Sequence, residues 1–375
     1  MNLYAPGEEV DWPASEDGDY ARRYLGPLLA RGPETYIANA HTALWALRAG
    51  ALVLPVTAAE FHPDNSYVCS PYAHYISYAL QEFRELRNPP LEAGLRLLFR
   101  ALGVYLRRSA LDRVVYVNNW LLSTNLYPAG AAEQAADIVQ ALAAEFPDRA
   151  VVFRSVDKRG NPELMAALAA AGCRMVFSRS VYYQDAGSAY VQRKRQFRED
   201  LKRFKRTPYT VIDGAALAPA DAARVLELYN GLYLNKYSRF NPIFTLDFIQ
   251  LALSERLLHV KALARDGRID AVLGYVARRG LITAPLFGYD LRLPKEAGLY
   301  RQLSTLISLE AQARGDTLHL SAGVGPFKRI RGGLPAIEYN AVYAAHLPAW
   351  RRRPWALMQA VADRLAIPVI QRYRF

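Results

Sequence analysis

Residues 281–344 read LITAPLFGYD (281–290), LRLPKEAGLY (291–300), RQLSTLISLE (301–310), AQARGDTLHL (311–320), SAGVGPFKRI (321–330) and RGGLPAIEYNAVYA (331–344). An apolar run ends at Gly288-Tyr289-Asp290, and a loop follows that closes on Ala297-Gly298. Leu299, Leu303, Leu306, Ile307 and Ala311 then recur at the helical period, and Gly315 stands where such a helix stops. Thr317 to Leu320 forms a short strand, and a Lys/Arg/Gly-rich loop leads from it into another strand. The order is strand, loop, helix start, helix, strand. The first N–H groups of a helix have no partner inside it, so this one favours an anion beyond the strand end.

Two strands precede this stretch, His259 to Arg265 and Ile269 to Arg278, joined by Asp266-Gly267, a type I′ hairpin signal. Arg279-Gly280 makes the next turn, so three antiparallel strands lead into the loop and helix. Before them lie a helix from Asp221 to Leu234 and the segment NKYSRFNPIFTLDF, in which Pro242 forces an extended turn. Further upstream, Gln192 to Lys205 places Phe197, Leu201 and Phe204 on one helix face and leaves Arg193, Lys194, Arg198, Lys202 and Arg203 outside.

The first half alternates in the same way. Residues Met1 to Pro33 read as a loose lead-in with turns at Pro13 and Gly18. Ala51 to Val56, Arg113 to Asn118, Ala150 to Ser155 and Arg174 to Tyr183 read as strands. Leu91 to Arg108 is a helix whose buried stripe is Leu95, Leu98, Phe99, Leu102 and Leu106. Ala131 to Phe146 is a second helix, and Pro162 opens a third that Gly172 closes. Strands alternating with helices argue for an α/β chain. In between, Tyr67, Tyr72, His74, Tyr75 and Tyr78 crowd one passage, as wall residues bonded to backbone or as the lining of a pocket. His62, Cys69 and His74 lack the doubled spacing of a zinc site, so no metal is expected.

At 375 residues the chain has room for two domains, and 52% hydrophobic with 22% charged residues excludes a disordered protein. Two cysteines give no disulfide framework, the N-terminal segment is acidic and polar rather than a secretion signal, and no apolar run reaches the ~20 residues that span a bilayer. A cytoplasmic protein is expected. The net charge of +12 favours phosphate-bearing partners, and it is concentrated. Val191 to Arg206 holds eight Lys/Arg, and Arg351-Arg352-Arg353 sits between Trp350 and Trp355. A Trp/Arg-rich end that closes on Arg372-Tyr373-Arg374-Phe375 would dock one half on the other or rest on an anionic membrane surface.

Gly288-Tyr289-Asp290, Ala297-Gly298-Leu299-Tyr300, FKRIRGG (327–333) and YNAVY (339–343) together resemble the C-terminal half of a GNAT-type acyltransferase domain, in the branch of the Fem-type peptidoglycan aminoacyltransferases. The likeness spans Tyr182 to Ala345. Val191 to Arg206 is similar to the basic helix that opens the catalytic repeat there, and Ala150 to Tyr183 resembles a closing strand-helix-strand of the same fold. The resemblance implies two tandem GNAT-like domains with mixed, largely antiparallel sheets flanked by helices. Residues 1–185 would be non-catalytic and residues 186–375 catalytic.

The activity so implied is transfer of an acyl or aminoacyl group from acyl-CoA or aminoacyl-tRNA to a small-molecule or peptide amine. The donor would meet Arg292, Lys295, Ala297, Gly298 and Leu299. The family's phosphate loop, Q/R-x-x-G-x-G/A, has one glycine here and a different spacing, and CoA and tRNA both stay open. Lys236, Tyr237, Arg239 and Asn241 correspond to the acceptor side. Asp290 would take a proton or orient the amine, Tyr289 and Tyr300 would serve the leaving group as acids, and Lys328 would stabilise the oxyanion. Each also has a plain reading: a strand-end turn aspartate, edge tyrosines, a solvated loop lysine. His319 alternates with Leu318 and Leu320 and would face away from the core. Two other classes fit the same residues, an RNA- or phosphate-binding protein on an inactive acyltransferase fold and a membrane-surface protein of envelope assembly.

Overall fold

The computed structural model describes residues 1–83, 88–368 and 370, so Arg372 to Phe375 lie outside the described residues. Its strands are β1 (Asn2–Tyr4), β2 (Ala43–Ala49), β3 (Leu52–Ala59), β4 (Val114–Val117), β5 (Ala150–Asp157) and β6 (Arg174–Gln184) in the first half. The second half adds β7 (Thr210–Asp213), β8 (His259–Arg265), β9 (Arg268–Arg278), β10 (Leu281–Tyr289), β11 (Thr317–His319) and β12 (Leu334–Tyr343). Among the described residues all twelve join one sheet in the order β1-β2-β3-β4-β5-β12-β6-β11-β10-β9-β8-β7.

That order holds a repeat. Strands β1 to β4 pair antiparallel in succession, β4 pairs β5 parallel, and β5 pairs β12 antiparallel. Strands β7 to β10 likewise pair antiparallel in succession, β10 pairs β11 parallel, and β11 pairs β6 antiparallel. The last strand of each half therefore lies beside the other half's parallel pair, and the two exchanged strands pair with each other through the middle of the sheet. The sheet is continuous across residue 185.

Local chemistry accounts for the elements. Asp266-Gly267 has φ of 52° and 75°, and Arg279-Gly280 has 50° and 72°, so both hairpins take the left-handed pair that a two-residue turn needs. Helix Leu299–Arg314 buries Leu299, Leu303, Leu306, Ile307 and Ala311 against Leu273, Ile282 and Leu318. Each leucine so buried stabilises the fold by about 2 kcal/mol. Helices Ala135–Glu145 and Pro162–Ala170 cover one face of the first half, and helices Pro89–Arg108 and Ala349–Val361 cover the other.

The lead-in expected over residues 1–33 is instead ordered. It holds β1 and a helix, Glu16–Arg31, capped by Ser15 through the Gly18 N–H, with Glu16, Asp17 and Asp19 in its first turn. Tyr24, Leu25, Leu28 and Leu29 bury its inner face. In helix Pro89–Arg108 the expected buried Leu98 is exposed, because Gly103 and Leu106, not Leu98, sit in the stripe turned to the sheet.

Candidate functional site

Strands β10 and β11 stay paired for three positions, Leu281↔Thr317, Ile282↔Leu318 and Thr283↔His319, and then part. Strand β10 continues on β9 with a shift in register between Thr283 and Leu286, where Pro285 offers no N–H to a neighbour. The chain beyond β11 keeps to β6 through the Leu320 N–H and the Tyr182 carbonyl at 2.8 Å. Ser321 and Val324, at φ 57° and 42°, then turn it into the short helix Gly325–Arg329. The gap has half-exposed Phe287 and Tyr289 on one side and Ser321 and Ala322 on the other.

Lys328 is buried on the β11 side. Its ammonium donates to the Ser321 carbonyl at 3.1 Å and the Ala322 carbonyl at 2.7 Å, and it lies 5.5 Å from the Tyr182 ring. Burial first, and then the charge of Arg179, pulls it down to about 7. Two of the three hydrogens that an ammonium can give are taken by these carbonyls.

Partly buried Arg179 on β6 and buried Glu338 on β12 form a pair with two contacts, 2.7 and 3.2 Å. Arg179 also donates to the Ser123 carbonyl and to the Thr124 and Ser321 hydroxyls. His319 is buried beside them, and burial drives its imidazole well below the ordinary range. Its Nδ1 accepts from the Ser321 N–H at 3.1 Å, which places the hydrogen on Nε2, and that atom makes no hydrogen bond although Glu338 Oε2 lies 3.7 Å away. Asn125 Nδ2 is a second such donor, oriented because its Oδ1 accepts from Trp120 N–H at 3.1 Å. Both residues line one cavity of about 90 Å³ with Asp157, Tyr183, Arg278 and Arg279, between the two halves.

The helix that starts at Leu299 is entered through Gly298 at φ 64°, and no side chain caps its first turn. Beside it runs an open groove of about 490 Å³ lined by Lys202, Arg203, Arg206 and Arg265, with Thr207, Ala297 and Gln302. Four cations against Glu296 suit a phosphate-bearing group. Arg203 reaches across to donate to the Glu296 carbonyl at 3.2 Å.

Several expected residues come together here. Tyr289 and Tyr300 lie 6.1 Å apart by ring centroid, and Tyr300 packs on Phe287 at 5.5 Å and Phe327 at 4.8 Å. Burial, and then neighbouring Tyr237 and Tyr289, pushes the Tyr300 phenol up, so it stays protonated. Tyr237 is exposed with Lys236 above its ring, and Arg239 pairs with Asp64 at 3.2 Å. Ala297 and Gly298 shape the turn before the helix, with Lys295 exposed beside them, while the Leu299 side chain goes into the core.

Others do not serve as expected. Asp290 is no proton acceptor: Arg224 and Arg292 each hold its carboxylate at 2.8 Å, Arg268 adds a third guanidinium, and these contacts drive its pKa far down. Arg292 is spent on Asp290 and Glu227 rather than on a donor. Asn241 is buried and donates to the Tyr233 and Ser238 carbonyls, so it fastens its own turn and meets no acceptor. His319 faces inward, not away from the core, and Lys328 is not a solvated loop lysine.

Arg179, Glu338, Asp157 and Tyr183 were absent from the sequence expectations. Their signal is faint: charged or polar residues within or at the end of apolar strands, AVVFRSVD, RMVFSRSVYY and LPAIEYNAVY, which mark groups buried for a reason.

No family model matches the chain, and no curated protein matches it in sequence. Among solved structures, FemX aligns over 90% of this chain and 93% of its own, with 7% identity and a TM-score of 0.50. This is the FemX fold. Looser likenesses reach the C-terminal domain of a putative lysylphosphatidylglycerol synthetase from Agrobacterium fabrum (17% identity, 62% and 77% covered, TM-score 0.43) and L-PGS from Bacillus licheniformis (17%, 60% and 79%, 0.44). The match to FemX extends through both halves, as the exchanged strands require.

Proposed function

We propose that this protein transfers an acyl or aminoacyl group from an activated donor, acyl-CoA or aminoacyl-tRNA, to the amine of a small molecule or peptide. The observation that carries this reading is Lys328, buried at the point where β10 and β11 part. The amine nitrogen attacks the donor carbonyl carbon, the C–S or C–O ester bond breaks, and the amine's proton ends on the departing sulfur or ribose oxygen. Negative charge that gathers on the carbonyl oxygen is met by the Lys328 ammonium. The donor's phosphates lie along Lys202, Arg203 and Arg206 and toward Lys295 and Gly298. The acceptor enters past Lys236, Tyr237 and Arg239, and the phenols of Tyr289 and Tyr300 face the leaving group. Residues 186–375 carry the reacting groups, and residues 1–185 supply the far wall.

Incubation with labelled acyl-CoAs and, separately, with charged tRNA pools tests this reading and chooses the donor. One pool should be consumed by the wild-type protein and spared by Lys328→Ala. A second reading, phosphate or RNA binding without chemistry, is favoured by the basic groove alone. It predicts RNA retention that falls steeply with salt while neither donor is consumed.

A further inference from the structure

Helix Pro89–Arg108 carries large apolar residues on both sides. Its inner side, with Phe99, Leu102 and Leu106, packs in the same cluster as Trp355 and Met358 of helix Ala349–Val361, so the two helices cover one face of the first half. Its outer side carries large apolar residues between its arginines. Leu97, Leu98 and Val104 are 72%, 60% and 53% exposed, and Tyr105 is exposed beside them. On the second helix Trp350 is 53% exposed and Leu357 is exposed too. Large apolar side chains gathered in the open on one face call for a cover.

Charge says which cover. The two helices contain seven arginines and a single acid, Glu92, which Arg96 already pairs at 2.8 Å. Arg100, Arg108, Arg352 and Arg353 are exposed around the apolar residues. A second copy of this chain would set arginine against arginine. Leucines and a tryptophan ringed by long cationic side chains suit a bilayer surface, where the apolar residues enter the headgroup boundary and the guanidiniums meet lipid phosphates.

We propose that the outer face of helices Pro89–Arg108 and Ala349–Val361 is a docking site for an anionic lipid bilayer, on which the protein sits peripherally. Among the described residues no helix is long and apolar enough to cross a membrane. The assignment is independent of the transfer chemistry.

Flotation of the full chain with vesicles of phosphatidylcholine, with and without phosphatidylglycerol, is the test. Binding to the phosphatidylglycerol vesicles is expected, weakened by salt and weaker on phosphatidylcholine alone. The double variant Leu97→Glu/Leu98→Glu should reduce partition by ~10-fold or more, since it removes two inserting side chains and adds repulsion. Arg100→Glu/Arg108→Glu should lose binding to phosphatidylglycerol vesicles with an unchanged circular dichroism spectrum, because both side chains are exposed. Absence of wild-type binding, or equal binding to both vesicle types, overturns the proposal. So does a dimer seen by light scattering that Leu97→Glu/Leu98→Glu dissolves, with no vesicle binding.

Discussion

The two halves pair their strands in the same order, yet they end differently beyond the parallel pair. After β4 the chain runs through residues 118–128, all buried except Ser123. Trp120 packs on Tyr24 at 5.2 Å, Asn119 donates to Thr57 and the Val68 carbonyl, and Asn118 accepts from the Trp120 indole. After β10 the corresponding stretch, residues 291–298, holds no buried residue and carries Arg292, Lys295 and Glu296. In the first half a buried Arg154 donates to Asn119 and the Leu122 carbonyl and so helps hold that stretch inward. Sheet topology therefore does not make a site. The loop after the parallel strand does, by folding inward or staying out.

The largest effect expected from that contrast is on turnover. Lys328→Ala should lower kcat by about 10²–10³-fold with little change in KM, the loss typical of one oxyanion donor. Lys328→Arg should recover part of it. Arg154→Leu should do the reverse. It leaves buried acceptors unpaired and lowers stability by on the order of 3 kcal/mol, read from urea unfolding, while kcat per folded molecule holds. If Arg154→Leu abolished turnover at unchanged stability, chemistry would belong to the closed half and the asymmetry drawn here would be wrong.

A smaller effect separates the halves by pH. Burial, and then Arg154 and Arg179, keeps folded His74 neutral down to about 3, whereas an unfolded histidine takes its proton near 6.5. Between those values the unfolded chain binds the extra proton, so stability falls as pH drops from about 6.5. Asp112 opposes this. Burial raises its carboxyl to about 6, so its contribution is present below the unfolded value of 3.8 and is lost as pH rises through about 6. Urea midpoints measured against pH should flatten on the acid side in His74→Gln and steepen in Asp112→Asn. On the alkaline side Lys328 is the group to watch. Folded Lys328 releases its proton near 7 and unfolded lysine near 10.5, so stability rises with pH across that window. Lys328→Met should remove that rise and leave the acid side alone.

Most of the strand order was legible because each turn announced itself. Asp266-Gly267 and Arg279-Gly280 can hardly be anything but hairpins, and the Leu299 to Ala311 period admits one helix face. The exchanged strands were not legible, since β6 and β12 look like ordinary apolar strands and a partner's identity is not written in either. The site was half legible for the same reason. Tyr289, Tyr300 and Lys328 sit near motifs. Arg179 and Glu338 meet only because β6 and β12 lie side by side, 159 residues apart in the chain. The Glu16–Arg31 helix is hidden because Pro13 and Gly18 read as turns, although Ser15 and its acidic first turn are a helix start.

The smallest expected effect concerns Arg292, which sits in the open loop but serves the wall behind it. Its side chain is 67% exposed and it shares Asp290 with Arg224 and Arg268. Two guanidiniums remain on the carboxylate when it is removed, and solvent screens the one that is lost. Arg292→Ala should therefore leave the urea midpoint and the KM for the donor nearly where they were. Lys295→Ala, three residues on and exposed beside the helix start, should raise KM and leave stability untouched. Equal increases in KM for the two variants would mean that Arg292 leaves Asp290 to meet the donor. The open loop would then close over its ligand, and the contrast between a folded-in and a folded-out segment would describe one state of a moving one.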